Sequence, residues 1–444
     1  RHFSVIFSKF YVQKIKKMMQ YIKIFGAVLL WVCCLPPAYS QNFQPNYDES
    51  KVPDYKLPDP LTFEDGSKVN DVSDWPARRA QILELFENHM YGKMPQKPEN
   101  LSFEVISEVP DALNGLAVLK EVRIHVKNNN KAHHFDLLLF IPKKVQKPVP
   151  VFLGLNFNGN HTVHPSEHIA VTDKWVRNKE YLQVTNHQAN EASRGRNRKS
   201  YPVERVLDRG YAFATIYYGD IDPDFDDGYQ NGVHPLFDTE YVDTQAGDNC
   251  ASIGAWAWGL SRAADFFETD PAIDQESIAV YGHSRLGKTS LWAGACDERF
   301  SMVISNCSGC GGAALSRRQF GETLFFINRK FPHWFCDNFK NYSNNEDALP
   351  VDQHMLIALM APRPVIVGSA DNDRWADPKG EFLSVQHAEP VYRLLNKKGL
   401  PVDKMPVINR PVYHTAGYVI RNGGHGLNNY NWEVYLDFAD DHLK

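Results

Sequence analysis

An α/β chain, with a mostly parallel central sheet covered by helices on both faces, is predicted by three observations. Apolar runs of strand length recur at 135–141, 149–157, 210–218, 277–281, 302–305 and 364–368. Stretches with the helical spacing of apolar residues lie between and beyond them. The run at 277–281 ends in Gly282-His283-Ser284-Arg285-Leu286-Gly287-Lys288, a serine held between glycines where a strand would turn sharply into a helix.

Taken in order, residues 41–75 are polar and proline-bearing, an extended lead-in without periodicity. From 76 to 91, Ile82, Leu83, Leu85, Phe86 and Met90 recur at helical spacing and predict an amphipathic helix covering the domain. The stretch 117–126 alternates, as a half-exposed strand does. Those at 135–141 and 149–157 are more continuously apolar, as strands covered on both faces are. Helices are expected over 251–268, after the serine turn where Thr289 to Ala295 are small or apolar, and over 432–443. Two long polar stretches, 161–200 and 220–248, have no core-forming period. Loops beyond the carboxyl ends of parallel strands build the ligand site of such sheets, so both read as insertions around a cleft. No repeat or low-complexity linker divides the chain, and 41–444 is expected to form one catalytic domain.

With 43% hydrophobic residues among 444, the chain can bury one large core. The 48 basic residues are outnumbered by 53 acidic ones, a net charge of −5, which argues against nucleic acid as a partner. Met18 and Met19 precede Lys23, an apolar run over 24–35 and Ala38-Tyr39-Ser40, which together read as a secretory signal over 18–40, cut after Ser40. The run is short for a bilayer span, so the mature protein is expected to be secreted or periplasmic and free of the membrane. Residues 1–17 lack an initiating Met and read as upstream sequence translated in frame. Of seven cysteines, Cys33 and Cys34 fall in the signal, leaving an odd five. Cys307-x-x-Cys310 has no second pair or histidine cluster to complete it, so neither a metal nor another cofactor is expected.

A serine hydroxyl is a weak nucleophile until an imidazole can take its proton, and the imidazole needs a carboxylate to fix its tautomer. In α/β-hydrolases the chain order is serine, acid, histidine. Ser284 is the candidate nucleophile. Asn422-Gly423-Gly424-His425-Gly426, just before the last helix, makes His425 the candidate base. The apolar run at 364–368 leads into Ser369-Ala370-Asp371-Asn372-Asp373-Arg374-Trp375-Ala376-Asp377-Pro378, where Asp371, Asp373 and Asp377 compete for the acid. Spacing alone does not choose among them.

The elbow, Ser308-Gly309-Cys310-Gly311-Gly312-Ala313-Ala314, His333-Trp334-Phe335, Leu349-Pro350-Val351-Asp352-Gln353-His354, Trp375-Ala376-Asp377-Pro378 and Gly423-Gly424-His425 occur in this order between 282 and 425, within a longer similarity that runs from about Trp75 to the C-terminus. In these motifs the chain resembles the bacterial glucuronoyl esterases of carbohydrate esterase family 15. The resemblance implies an α/β-hydrolase fold without metal. It also implies hydrolysis of esters between lignin alcohols and the 4-O-methyl-glucuronic acid branches of glucuronoxylan, with a monomer expected. Arg285 resembles the family's oxyanion arginine, and Lys288, Glu322 and Trp375 match positions that contact the sugar. Many members carry a catalytic Glu where this chain has Cys307, and a thiol cannot orient a histidine as a carboxylate does. Others place an Asp two residues before the tryptophan of Trp-Ala-Asp-Pro; here that is Asp373, with Asp371 in reserve. An acetyl- or feruloyl-esterase would use the same serine machinery without needing the sugar-contacting set. A carbohydrate-binding protein that has lost catalysis finds its one support in Cys307.

Overall fold

The computed structural model describes Met18 and residues 44–444 except 129 and 147. The signal assigned to 18–40 and the upstream stretch 1–17 therefore lie, Met18 aside, outside the described residues. Residues Pro45–Lys444 form one compact unit.

Its centre is a ten-stranded sheet in the order β1-β2-β3-β5-β4-β6-β7-β8-β10-β9. The strands are β1 (Asn100–Asp111), β2 (Ala117–Asn128), β3 (Lys131–Pro142), β4 (Val149–Asn156), β5 (Ala212–Tyr217), β6 (Ile273–His283), β7 (Phe300–Asn306), β8 (Val365–Ala370), β9 (Val412–Tyr413) and β10 (Ala416–Arg421). From β5 to β10 neighbouring strands run parallel. The β1–β2–β3–β5 side and the short β9 are antiparallel. β5, β8 and β10 are buried along their whole length, whereas β1, at the sheet edge, has no fully buried residue. A parallel strand needs cover on both faces; an antiparallel edge does not.

The cover divides the core in two. Val151, Leu153 and Leu155 of β4 join one cluster and Phe152 between them joins the other, as the two-residue period of a strand requires. On the first face lie α1 (Trp75–Phe86), α2 (Ser252–Phe267) and α3 (Arg285–Cys296). The other carries the C-terminal helix α6 (Asn429–Leu443), through Trp432, Tyr435, Leu436 and Phe438. Between them in sequence come the short α4 (Leu324–Lys330) and α5 (Pro378–His387). Helix α1 passes into a π-helical turn at Glu87–Tyr91 and buries Ile82, Leu85, Phe86 and Met90. The final helix begins three residues before the apolar period does, because Asn428 caps it through the Asn431 backbone N–H.

The two polar stretches form turns and short helical segments, partly exposed and partly buried. His161 and Thr162, with Asn158 and Asn160 just before them, and Asp220, Asp222 and Asp224 are buried. Hydrogen bonds, which periodicity cannot register, hold these polar groups, while Val176, Leu182, Val184, Ile221, Val233 and Leu236 of the same stretches join the core. The lead-in 44–74 is likewise tied down: Glu49 pairs with Arg318 and Lys379.

Candidate active site

Strands β6, β7 and β8 end level with one another, His283 opposite Asn306 and Asn306 opposite Gly368, and β10 runs beside β8 to Arg421 opposite Ala370. The segments that follow carry Ser284, Cys307, the Asp371–Asp377 loop and the His425 loop.

Ser284 sits at φ 57° and ψ −128°, a left-handed value that a non-glycine residue adopts at a cost of about 1–3 kcal/mol. The turn is possible because Gly282 has no side chain: a Cβ there would lie 1.9 Å from the Leu286 carbonyl oxygen. The Ser284 N–H donates to the Asn306 carbonyl (2.8 Å), tying the elbow to β7.

His425 shares a 2.6 Å hydrogen bond, through Nδ1, with Asp373 Oδ2. Asp373 is buried, while His425 has almost half of its side chain exposed. The ring of His283 lies beneath that of His425, centroids 4.5 Å apart. Burial, and then the neighbouring His425, push the His283 imidazole well below its usual range and keep it neutral. Asp371 does not reach His425; its Oδ1 accepts the Gly423 N–H at 2.6 Å. Asp377 pairs with Arg318 and caps α5. The three aspartates left open by spacing therefore meet three different partners.

The glycine-rich loop is clamped rather than loose. Arg421 donates to the Asn422, Gly424 and Gly426 carbonyls at 2.7–2.9 Å, and its Nε to Asn431. The Asn306 amide adds a bond to Gly426 (2.9 Å).

Ser284, Arg285 and His425 line one open cleft of about 260 Å³, with Phe157, Lys179 and Tyr181 on its wall. Lys179 donates to Asn158 (2.9 Å). Burial, then the Arg285 and Arg177 charges, push its ammonium down to about 8. The Arg285 guanidinium lies 4.5 Å over the Trp334 ring and pairs through Nη1 with Asp224. Its Nε is buried without a hydrogen-bond partner, a donor beside the nucleophile with no protein acceptor.

Lys288, Glu322 and Trp375 are not among the residues lining that cleft; they form a group of their own. Lys288 is buried and donates to the Ser308 and Cys310 carbonyls, both at 2.5 Å, with Glu322 3.8 Å away. Burial pushes the Glu322 carboxyl up, while Lys288 and the Trp375 indole pull it back. Trp375 is half-buried, 5.3 Å from the Phe326 ring. Two of the three Lys288 protons are thus taken by the backbone, a fixing of the side chain that a sequence motif does not reveal.

Cys307, Asp373 and His425 bring thiol, carboxylate and imidazole atoms within 4.8 Å of one another. Burial pushes the Cys307 thiol well up, so it is neutral beside the imidazole.

A family model described as "Glucuronyl esterase, fungi" matches residues 231–396. Carbohydrate esterase MZ0003, of an unknown prokaryotic organism, is 49% identical over 409 residues, 92% of this chain and 94% of its own. A solved structure described as a promiscuous CE15 esterase from a marine bacterial metagenome shares 50% identity and a TM-score of 0.85, covering 90% of this chain and 100% of that one. The chain belongs to carbohydrate esterase family 15. The glucuronoyl esterase from Solibacter usitatus is 43% identical with a TM-score of 0.84, over 89% of this chain and 100% of its own. As a member of family 15 the chain is a carboxylic ester hydrolase on the α/β-hydrolase fold.

Within this family 15 site, sequence reasoning missed Asp224, Arg421 and Glu381. Asp224 lies in a polar stretch without period, and Arg421 ends a short strand four residues before His425. Glu381 had no motif at all. It is fully buried on α5, where it accepts the Gly309 N–H (2.9 Å) and the Ser369 hydroxyl (2.5 Å), and burial pushes its carboxyl up to about 8. No local pattern marks such residues, whose partners are far away in the chain.

Proposed function

We propose that this chain hydrolyses the ester between (4-O-methyl-)glucuronic acid of glucuronoxylan and lignin alcohols through a serine acyl-enzyme. The observation that carries the reading is the 2.6 Å bond between His425 Nδ1 and Asp373, in a cleft that His425 shares with Ser284 and Arg285. Asp373 fixes the tautomer that leaves Nε2 free to take the Ser284 proton as Oγ attacks the ester carbonyl. Arg285 and the N–H groups at the start of α3 receive the negative charge that develops on the carbonyl oxygen. His425 then returns the proton to the leaving alcohol, and water repeats the sequence on the acyl-enzyme.

Lys288, Glu322 and Trp375 hold the sugar: a cation and a carboxylate read adjacent hydroxyls, and an indole packs on the pyranose face. Left unpaired, such groups penalise a wrong sugar. The relative named 4-O-methyl-glucuronoyl methylesterase 1, from Wolfiporia cocos, is 28% identical over 85% of this chain and supports that substrate class. Asp373 supplies the carboxylate that Cys307 cannot, so the cysteine does not require an inactive binding protein. We place the mature enzyme in the periplasm or outside the cell, as a monomer, because its substrate is a cell-wall polymer. Among the described residues no helix is long and apolar enough to cross a membrane.

The test is hydrolysis of benzyl glucuronate by the wild type, Ser284→Ala, Asp373→Asn and Asp371→Asn. Ser284→Ala should abolish turnover and Asp373→Asn lower it by up to about 10⁴. Asp371→Asn should cost about tenfold or less, since it only loosens the Gly423 contact. Equal losses in the two aspartate variants would overturn the assignment of Asp373. Release of acetate from xylan with no turnover of the glucuronoyl ester would leave an esterase but sink this substrate.

A further inference from the structure

Asp224 lies in the second polar stretch, 61 residues before Arg285, and its side chain is wholly buried. Five donors converge on it. Oδ2 accepts from Arg285 Nη1, Arg177 Nη2 (3.1 Å) and the Tyr218 hydroxyl (2.9 Å). Oδ1 accepts from the Trp334 indole (2.8 Å) and from His333 Nε2 (3.0 Å). Burial alone would push this carboxyl up; the His333 bond and the Arg285 charge outweigh it and hold it ionised well below the usual carboxylate range. Such a convergence exceeds what neutralising one arginine requires, and it fixes the direction of each donor.

The consequence falls on Arg285. Its Nη1 is held by Asp224, and its plane is held over the rings of Trp334 (4.5 Å) and Phe331 (5.3 Å), which stack on each other at 3.7 Å. Asp224 leaves two of the Arg285 nitrogens unheld beside Ser284, Nη2 and the buried Nε, which has no partner of its own. Arg177 comes from the first polar stretch and also donates to the Asp224 carbonyl (2.9 Å), so one carboxylate joins both inserted loops to the residue next to the nucleophile.

We propose that Asp224 is a positioning residue: it aims the Arg285 guanidinium at the oxygen of the tetrahedral intermediate and couples that aim to the two inserted loops. The inference rests on the assignment of Arg285 to the oxyanion. An arginine free to turn would lose its directed bond to an oxygen that carries full charge only near the transition state. The loss should therefore appear in kcat and leave KM nearly unchanged.

The experiment is a double-mutant cycle on benzyl glucuronate with the full chain: wild type, Arg285→Ala, Asp224→Asn and the double variant. Arg285→Ala should lower kcat by about 10²–10³, as loss of an oxyanion donor does. Asp224→Asn should lower kcat by about 10–100-fold, with KM within about threefold, and the double variant should match Arg285→Ala alone. Losses that multiply in the double variant, or an Asp224→Asn enzyme within about twofold of wild type while Arg285→Ala is impaired, would overturn the inference and leave the role of Arg285 standing. An Arg285→Ala enzyme with normal kcat would instead remove the oxyanion assignment, and this inference with it. Because Asp224→Asn strands two cations and can fail to fold, Tyr218→Phe repeats the cycle. It should cost a few-fold in kcat in the wild type and nothing in the Arg285→Ala background, and a loss of equal size in both backgrounds counts against the inference.

Discussion

Asp371, Asp373 and Asp377 share one loop, yet their carboxylates meet the Gly423 N–H, His425 and Arg318 respectively. Direction decides this, not composition: each backbone position on the turn after β8 aims its side chain at a different neighbour. A fourth carboxyl, Glu381, shows how burial alters behaviour at the same scale. It accepts from the Gly309 N–H, close to Cys307, and burial holds it up to about 8 against an ordinary 4.5. The unfolded chain releases this proton near pH 4.5, whereas the folded protein keeps it to about 8. Its contribution to stability is therefore complete below pH 4.5 and declines as pH rises toward 8. Thermal unfolding from pH 5 to 9 should show Tm falling more steeply in wild type than in Glu381→Gln, which has no proton to lose. Parallel curves for the two proteins would refute this account of Glu381.

At the scale of elements, the elbow depends on close approach between the end of β6 and the first turn of α3. Gly282 permits it, and the strain at Ser284 is sustained by bonds from β7 and from the turn itself. A methyl at 282 would meet backbone, which has no rotamer to yield. Gly282→Ala should destabilise the protein by about 3 kcal/mol or more, read as a lower urea midpoint, and should lower kcat as Ser284 shifts. A midpoint near that of wild type would show that strand and helix can separate without harm. Arg421 does comparable work for the histidine loop. The glycines that made His425 a candidate supply backbone freedom, and the bonds from Arg421 to the Asn422, Gly424 and Gly426 carbonyls turn that freedom into a fixed position.

Across the whole molecule, two apolar clusters, one on each face of the sheet, carry the stability. Cys250, Cys296, Cys307, Cys310 and Cys336 are all free, and four of them are buried. The fold should therefore not depend on a disulfide among the described residues, and the urea midpoint should be the same with and without dithiothreitol. A fall in midpoint on reduction would mean a cross-link that this arrangement of thiols does not contain. By itself the sequence determined what neighbours along the chain decide: most of the buried strands, the helices between them, the glycine-permitted elbow and the short lists of candidates for acid and base. Each follows from a period of two or 3.6 residues, or from a turn that only a small side chain allows. It left β1 unassigned because a half-polar edge strand lacks a continuous apolar run, and it left β10 unassigned although that short strand is buried throughout. Only the tertiary structure decided that Asp373 rather than Asp371 meets His425, that Asp224 holds Arg285, and that Lys288 is anchored to two carbonyls. Those pairs are separated by 52, 61 and about 20 residues, and their meeting depends on the order and register in which β5, β4, β6, β7, β8 and β10 lie side by side.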